Sequence, residues 1–258
     1  MSFVGKTPAG TYKDIIYVNN NNSGVTTTLK EVKSGNGNLT CLSVSDRSVK
    51  LLPSTDNSVA LDVQNSGGSS KLLVDTTNNQ VKALGTHVHT NYANFGANSS
   101  NTSNFVAGYH HAIPFENAYV LIIPNFGNGA DPATTFTTAD STGVKASELV
   151  PVLWYLPDNI SIDGVTSVEG ADNATGDTTR FHLFSYTFTS GATACLTAGT
   201  LLAHSNDQVN AGSEQAYLNT WTVDSASVES SKVILAFFEC DSANSNYSVN
   251  ITVKYHLT

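Results

Sequence analysis

The chain has 258 residues, of which 13% are charged, about half the usual share in a soluble domain, and its formal net charge is −9. The scarcity of Glu, Lys, Gln, Arg and Met excludes a mostly helical protein, and no apolar run approaches the roughly 18 residues of a membrane helix, so no membrane insertion is expected. The hydrophobic fraction of 40% suffices for a core, and the prevalence of Thr, Val, Ser and Asn predicts an all-β fold.

Residues 18–90 are predicted to form a thin β-stranded shaft. They contain no Phe, Tyr or Trp, the residues that supply much of the buried area in a globular core. Aliphatic and polar residues nevertheless alternate in short runs that are separated by turn residues at roughly ten-residue spacing, as in a β-meander. These runs are 42–44, 49–51, 59–63, 72–74 and 81–83.

Each predicted shaft strand offers only one thin aliphatic stripe, which a single chain cannot bury well against itself. Three chains around an axis bury such stripes, as in β-prism and triple-β fibre shafts. We therefore expect a β-prism-like homotrimer. The alternative is a small open sheet that packs on the C-terminal domain.

Two histidines at the end of the shaft form a candidate metal site. His87 and His89 are two positions apart, so in a strand they face the same side. One pair is incomplete as a metal site, but three pairs on a threefold axis give six imidazoles, enough for octahedral coordination of a transition metal such as iron. The alternative is an exposed polar pair at a domain junction. The adjacent His110 and His111 would point to opposite faces, and we expect them in a loop or on the surface.

Residues 91–258 are predicted to form a jelly-roll-like β-sandwich head, with the Asn-, Ser- and Gly-rich residues 91–104 as the linker to the shaft. Its last run alternates apolar residues from Tyr247 to Leu257 with polar ones, which indicates an antiparallel strand with one wet face. The strand-like runs are 118–123, 150–156, 160–168, 180–188, 200–204, 216–223, 232–239 and 247–257.

Charge is distributed unevenly between the two parts. Residues 1–90 hold eight basic and six acidic side chains, whereas residues 91–258 hold four and fifteen. Because an acidic head repels phosphates, nucleic acid is not an expected partner. Residues 1–20 have no apolar stretch of signal-peptide type, and the odd set Cys41, Cys195 and Cys240 contains no CxxC pair. Both features favour mostly buried, reduced thiols and assembly in a reducing cytoplasm.

Catalytic motifs are missing from the sequence. There is no G-x-S-x-G nucleophile elbow, and the Gly-Lys-Thr at residues 5–7 begins too near the chain start for a phosphate-binding loop. Most of the fifteen acids of the head fall in predicted loops, where they keep a surface soluble. A glycosidase needs two carboxylates held about 5–10 Å apart in a groove, and nothing in the pattern singles out such a pair. We therefore assign no catalytic residue.

Three segments resemble fibre and structural proteins of tailed phages, particularly those of marine bacteria. They are residues 1–8 (MSFVGKTP), 13–20 (KDIIYVNN) and 241–257 (DSANSNYSVNITVKYHL). The resemblance implies a homotrimeric, non-enzymatic virion component assembled in the host cytoplasm.

The resulting hypothesis is a capsid fibre, a decoration protein or a short tail fibre. An arm of residues 1–17 would dock to other virion proteins, and the head would bind a host-surface glycan or protein or stabilise the shell. One alternative is a carbohydrate-binding, lectin-like module, and a second is a polysaccharide-degrading enzyme of the tailspike type.

Overall fold

The structure is a computed structural model that describes residues 15–21, 23–83, 86–87, 90–99, 107–116, 123–128, 149–172, 175–192, 196–242 and 246–258, the side chains of 86–87, 99 and 123–128 excepted. The chain divides into two compact units, residues 1–88 and 89–258. Within the described ranges, every regular element except the 3-10 turn Val150–Val152 is a β-strand, so the fold is all-β as predicted. No helix in this part of the chain has the length and apolarity to cross a membrane.

In the first unit, the part of the chain that the structure describes forms two antiparallel meanders of four strands each. The first sheet is β1 (Ile16–Val18), β2 (Lys30–Ser34), β3 (Leu39–Val44) and β4 (Val49–Leu51). The second sheet is β5 (Leu61–Gln64), β6 (Ser70–Asp75), β7 (Gln80–Ala83) and β8 (Thr86–His87). Turn residues connect the strands as the sequence indicates, with Gly68 (φ 80°) and Asn79 (φ 54°) taking the left-handed conformation that tight turns require.

The described residues of the second unit form thirteen strands in two antiparallel sheets. They are β9 (Thr90–Ser99), β10 (Tyr109–Ile113), β11 (Ile123–Asn128), β12 (Trp154–Tyr155), β13 (Ile160–Asp172), β14 (Thr178–Phe188), β15 (Leu196–His204), β16 (Gln208–Val209), β17 (Glu214–Thr220), β18 (Thr222–Val223), β19 (Ser227–Val228), β20 (Lys232–Cys240) and β21 (Asn246–Leu257). One sheet has the order β17-β13-β21-β9, and the other has the order β11-β10-β20-β14-β15-β18.

The eight principal strands of this unit pair as in a jelly roll. In chain order they are β9, β10, β13, β14, β15, β17, β20 and β21. The first pairs with the eighth, the second with the seventh, the third with the sixth and the fourth with the fifth. This nested pairing over two sheets is the jelly-roll topology.

The jelly roll buries its apolar residues in two layers. The main core lies between the two sheets and includes Phe95, Phe181 and Ile251, each with an exposed fraction of 0%. A second cluster, built around Phe184 and Phe237, lies on the other face of β14 and β20 beneath the 3-10 turn. β20 is therefore buried on both faces, as its continuous apolar sequence predicts for a central strand.

Three predictions that concern β9, β12 and β21 are wrong. The segment predicted as the linker forms β9 over residues 90–99, because Ala93, Phe95 and Ala97 face the core while Asn94 and Asn98 lie on the other face. The predicted strand 150–156 begins as the 3-10 turn and becomes strand only at β12. Near the end of β21 the alternation reverses, so His256 is buried and Leu257 is exposed.

Candidate functional site

The second sheet of the first unit carries a continuous apolar face. Directly paired residues of neighbouring strands share a face, and so do residues two apart in one strand. The register therefore places six aliphatic side chains together: Leu61, Val63, Leu72, Val74, Val81 and Ala83. None of the six is buried, and Val63 and Leu72 are 48% and 38% exposed. We refer to these six residues as the apolar face.

The first sheet repeats this arrangement on a smaller scale. Leu42 pairs with Leu51, and Val44 pairs with Val49, so these four side chains share one face. Val49 is 68% exposed and Leu51 is 42% exposed. The aliphatic stripes predicted from the sequence are therefore present in both sheets of the first unit, and none of their residues is buried.

The first unit has almost no core of its own. Among its described residues only Val32, Gly35 and Asp75 are buried. Asp75 accepts hydrogen bonds from the backbone and side-chain amides of Asn78 at 3.0 and 2.8 Å, which lower its pKa and fix the turn after β6. The buried residues of the two apolar clusters all belong to the second unit. A single chain therefore forms a complete apolar core in the second unit but not in the first.

The predicted metal ligands lie largely outside the described residues. His89 falls in an undescribed position, and for His87 only the backbone is described, as the last residue of β8 paired with Lys82 of β7. The metal site therefore stays a prediction. In the part of the chain that the structure describes, no group of three or more His, Cys, Asp or Glu side chains is placed to hold a metal.

An ion-pair network lies on the jelly roll, on the two central strands β14 and β20. Arg180 donates through Nε and Nη2 to the two carboxylate oxygens of Asp207, at 2.9 and 3.0 Å. Its Nη1 donates to Oε2 of Glu239 at 2.6 Å. The Glu239 side chain is 2% exposed, and its burial raises the pKa of the carboxyl despite the guanidinium beside it. This bidentate arrangement locks Arg180 between two carboxylates.

A histidine cluster lies beside this network. Nε2 of His110 and Nδ1 of His182 are 3.0 Å apart, and His182 is paired across the sheet with His204. Burial, followed by the neighbouring His110, His204 and Arg180, lowers the pKa of His182 to about 2. His204 in turn contacts Asp224, with Nδ1 and Oδ2 2.8 Å apart. The sequence-based placement of His110 and His111 on the surface is wrong, since both are buried in β10.

Glu169 and Cys240 are two further polar groups buried in the head, and their surroundings do not suit catalysis. Glu169 is 1% exposed and accepts from Thr179 at 2.8 Å and from Asn219 at 3.3 Å, while burial raises its pKa. Burial also raises the pKa of the Cys240 thiol to about 12, so this cysteine is a poor nucleophile. Cys41 is exposed, against the expectation of a buried thiol, and Cys195 lies outside the described residues.

One pair of acids does meet at a groove. Asp172 and Glu214 are directly opposite each other on β13 and β17, and they border a depression that also includes Asn246. Both are exposed, as expected of solvated surface acids. Sequence reasoning could not find this pair, because the two residues are far apart in the chain and only the sheet register brings them together.

The aromatic residues of the head divide into core and rim. Both tryptophans are buried, with Trp154 7% and Trp221 5% exposed. Tyr92 and Tyr155 are instead 62% and 54% exposed, and both border one cleft. This site could not be found from composition, because the Asn, Ser and Gly content of residues 91–104 predicts a linker at Tyr92. The signal was present in the alternation of Ala93, Phe95 and Ala97, which marks the segment as a strand.

Comparison of the chain with protein-family models and with curated proteins found no match.

Proposed function

We propose that the protein is a homotrimeric, non-enzymatic virion structural protein of a tailed phage. In this role it is a capsid fibre, a decoration protein or a short tail fibre that projects a β-sandwich head. The observation that carries the proposal is the apolar face of the first unit, none of whose six residues is buried, next in the chain to a head with a complete core. A unit of this kind needs further copies of itself, which is the property of a fibre shaft.

The energetics favour an assembled first unit. A fully buried Leu or Val side chain contributes about 1.5–3 kcal/mol relative to an exposed one, so covering the apolar face stabilises each chain by several kcal/mol. A lone sheet without a second layer forgoes this stabilisation. The resemblance to phage appendage proteins favours three chains around an axis over two.

The distribution of charge supports an inner and an outer part. The first ninety residues carry eight basic and six acidic side chains, which suits close contact between chains, whereas the head carries fifteen acids and four bases. In the proposed virion, residues 1–17 dock to other virion proteins, and the head contacts a host-surface glycan or protein or stabilises the shell. Several weak head contacts on one particle then add up through avidity.

Light scattering on the purified full-length chain tests the assembly. The proposal expects three times the 27.2 kDa of one chain. A mass equal to one chain at micromolar concentration would contradict the shaft, the trimer and the axial metal site together.

Electron microscopy of labelled virions tests the location. A phage whose genome encodes this chain should bind antibodies against the head at capsid or tail positions that project from the particle. Labelling of host cells alone, with unlabelled virions, would overturn the virion assignment while leaving the trimer intact.

The tailspike alternative rests on the pair Asp172 and Glu214. We expect no release of reducing ends when the purified protein is incubated with host envelope polysaccharide. Release that is abolished in Asp172→Asn and retained in Asp158→Asn, a control at another exposed acid, would overturn the non-enzymatic part of the proposal. The lectin-like alternative is favoured by the aromatic cleft of the head.

A further inference from the structure

An aromatic cleft opens on the second unit where β9 and β12, which belong to different sheets, come together. Its volume is about 550 Å³. The residues that matter for recognition are Tyr92, Asn94, Phe115, Glu116, Trp154 and Tyr155. All of them belong to the jelly roll, so the site does not depend on the first unit.

The floor of the cleft is a rigid stack of rings. Trp154 lies nearly parallel to Phe115, with ring centroids 5.8 Å apart and an interplanar angle of 6°. Tyr255 packs against the same indole at 4.9 Å, and the fully buried Phe95 lies 5.3 Å from Phe115. Because these rings are anchored in the core, binding a ligand requires little reordering of the floor.

Two exposed tyrosines border the cleft. Tyr92 projects from β9 and Tyr155 from β12. In the described part of the second unit the exposed aromatic side chains are Tyr92, Tyr155 and Phe188, so two of three border this one cleft. A large ring left in water forgoes the stabilisation of burial, and a concentration of such rings at a concave site is typical of ligand binding.

Two polar groups complete the cleft. The Oδ1 atom of Asn94 accepts a hydrogen bond from Thr252 Oγ1 at 3.1 Å, which leaves the side-chain NH₂ as a donor. Glu116 is exposed and has a left-handed backbone (φ 61°), held by its N–H donating to the Asn94 carbonyl at 2.8 Å. Its carboxylate forms no ion pair with another described residue, so it can accept hydrogen bonds from a ligand.

This combination selects the chemical class of the ligand. Among the described residues that line the cleft the charged side chain is Glu116, and Lys254 lies directly opposite Tyr92 on β21, so the two opposite charges favour a ligand without net charge. A cage for a quaternary ammonium group encloses one small cation between rings. This cleft is instead open, and its volume has room for several groups of the size of a sugar ring. Sugar rings present flat C–H faces to aromatic rings and hydroxyls to amides and carboxylates.

We infer that the cleft binds a neutral oligosaccharide. Tyr92 and Tyr155 stack on sugar rings, the Asn94 NH₂ donates to a hydroxyl, and the Glu116 carboxylate accepts from one. The inference deepens the proposed attachment role and rests on it for the biological source of the sugar, but the binding itself requires only the residues of the second unit.

Binding of the full-length chain to an array of neutral glycans, followed by titration with maltotriose, lactose and chitotriose, tests this inference. We expect at least one neutral glycan to bind with a dissociation constant on the order of 1 mM per site. Tyr92→Ala and Tyr155→Ala should each weaken binding at least tenfold, and Glu116→Gln about fivefold, since hydrogen bonds to a charged acceptor are stronger.

Phe188→Ala is the matched control, because Phe188 is an exposed aromatic residue outside the cleft. It should leave the affinity unchanged, and all variants should keep the wild-type unfolding temperature within a few degrees. The inference is overturned if no neutral glycan binds, if the tyrosine variants bind like the wild type, or if choline binds in preference to every sugar. Light scattering on the same samples separates the two proposals: a trimer without glycan binding contradicts only this inference, and a monomer that binds glycans contradicts only the shaft.

Discussion

Arg180 shows how a single side chain in this protein can carry a large share of local stability. Its guanidinium spans the exposed Asp207 and the buried Glu239, and its own side chain is only 11% exposed. A buried ion pair contributes little compared with an apolar pair of the same size, but removing one partner leaves an uncompensated charge. Removal of Arg180 would therefore leave the buried Glu239 carboxylate without a positively charged partner.

The Arg180→Ala variant is expected to destabilise the head by about 3 kcal/mol, because it leaves the Glu239 carboxylate buried without its cation. The double variant Arg180→Met with Glu239→Leu should recover most of this loss. Urea unfolding followed by tryptophan fluorescence measures both, since Trp154 and Trp221 lie in the head core. A single variant within 0.5 kcal/mol of wild type, roughly the effect of a neutral surface change, would contradict the prediction.

His182 makes the head sensitive to acid. Its pKa falls from 6.5 in the unfolded chain to about 2 in the fold, so below pH 6.5 the unfolded chain binds a proton that the folded chain does not. Its contribution to stability is fully present above pH 6.5 and falls by at most about 1.4 kcal/mol per pH unit below it.

Unfolding of wild type and His182→Asn between about pH 8 and pH 5 measures this contribution. The loss of stability on acidification should be smaller in the variant, whatever the difference at pH 8. Parallel curves for the two proteins would rule out His182 as the acid-sensitive group.

The histidines at the shaft end give a third residue-level prediction. If His87 and His89 of three chains bind one metal ion, elemental analysis of the untagged protein should give about one transition metal per three chains. His87→Ala should lose the metal, while His204→Ala, in the head, should keep it. A metal content that is unchanged in His87→Ala would contradict a metal site at His87 and His89.

At the scale of elements, the apolar face of the second sheet in the first unit can be tested separately from the opposite face. Leu72 lies on the apolar face, and its neighbour Leu73 lies on the opposite face, paired with Asp62 and Lys82. The same change at these two positions therefore tests whether one face or the whole sheet drives assembly.

Leu72→Asn should weaken the trimer, because three copies each lose a buried Leu, which lowers the overall association constant roughly a thousandfold. Leu73→Asn should leave it nearly unchanged. Sedimentation at several protein concentrations measures both constants. Equal effects of the two substitutions would mean that the apolar face is not the contact surface.

The strand β9 shows why composition misled the prediction of an element. Its Asn, Ser and Gly content is typical of a linker, but the outward positions of an edge strand accept such residues readily. The alternation of small and aromatic apolar residues was the stronger signal, and the register with β21 over residues 90–99 makes that segment part of the head. At the end of β21, a shift of register in β13 between Ile162 and Gly164 accompanies the reversal that buries His256 against Asp163.

At the scale of the whole molecule, the two units obey different rules of stability. The jelly roll has a core within one chain, whereas the first unit has an apolar face that one chain does not cover. Under the proposed assembly, the first unit is therefore stable only when associated, and its stability depends on protein concentration.

Calorimetry on the full-length chain should resolve two transitions. The transition of the first unit should move to higher temperature as the protein concentration rises, because unfolding is coupled to dissociation, while that of the head should move less. Tryptophan fluorescence assigns the head transition, since both tryptophans are in that unit. Two transitions that are both independent of concentration would contradict an assembled shaft.

The sequence by itself determined the all-β class, the strands β3 to β7 of the first unit and most strands of the head, because alternation of period two is a local property of the chain. It also indicated that the aliphatic stripes of residues 18–90 are too thin for a core. Only the tertiary structure decided the nested jelly-roll pairing, since strands such as β9 and β21 are far apart in the chain. For the same reason, only the tertiary structure shows that Arg180 contacts Glu239, that His110 contacts His182, and that Tyr92 and Tyr155 border one cleft. Contacts between distant segments depend on the register of the sheets, which no local pattern encodes.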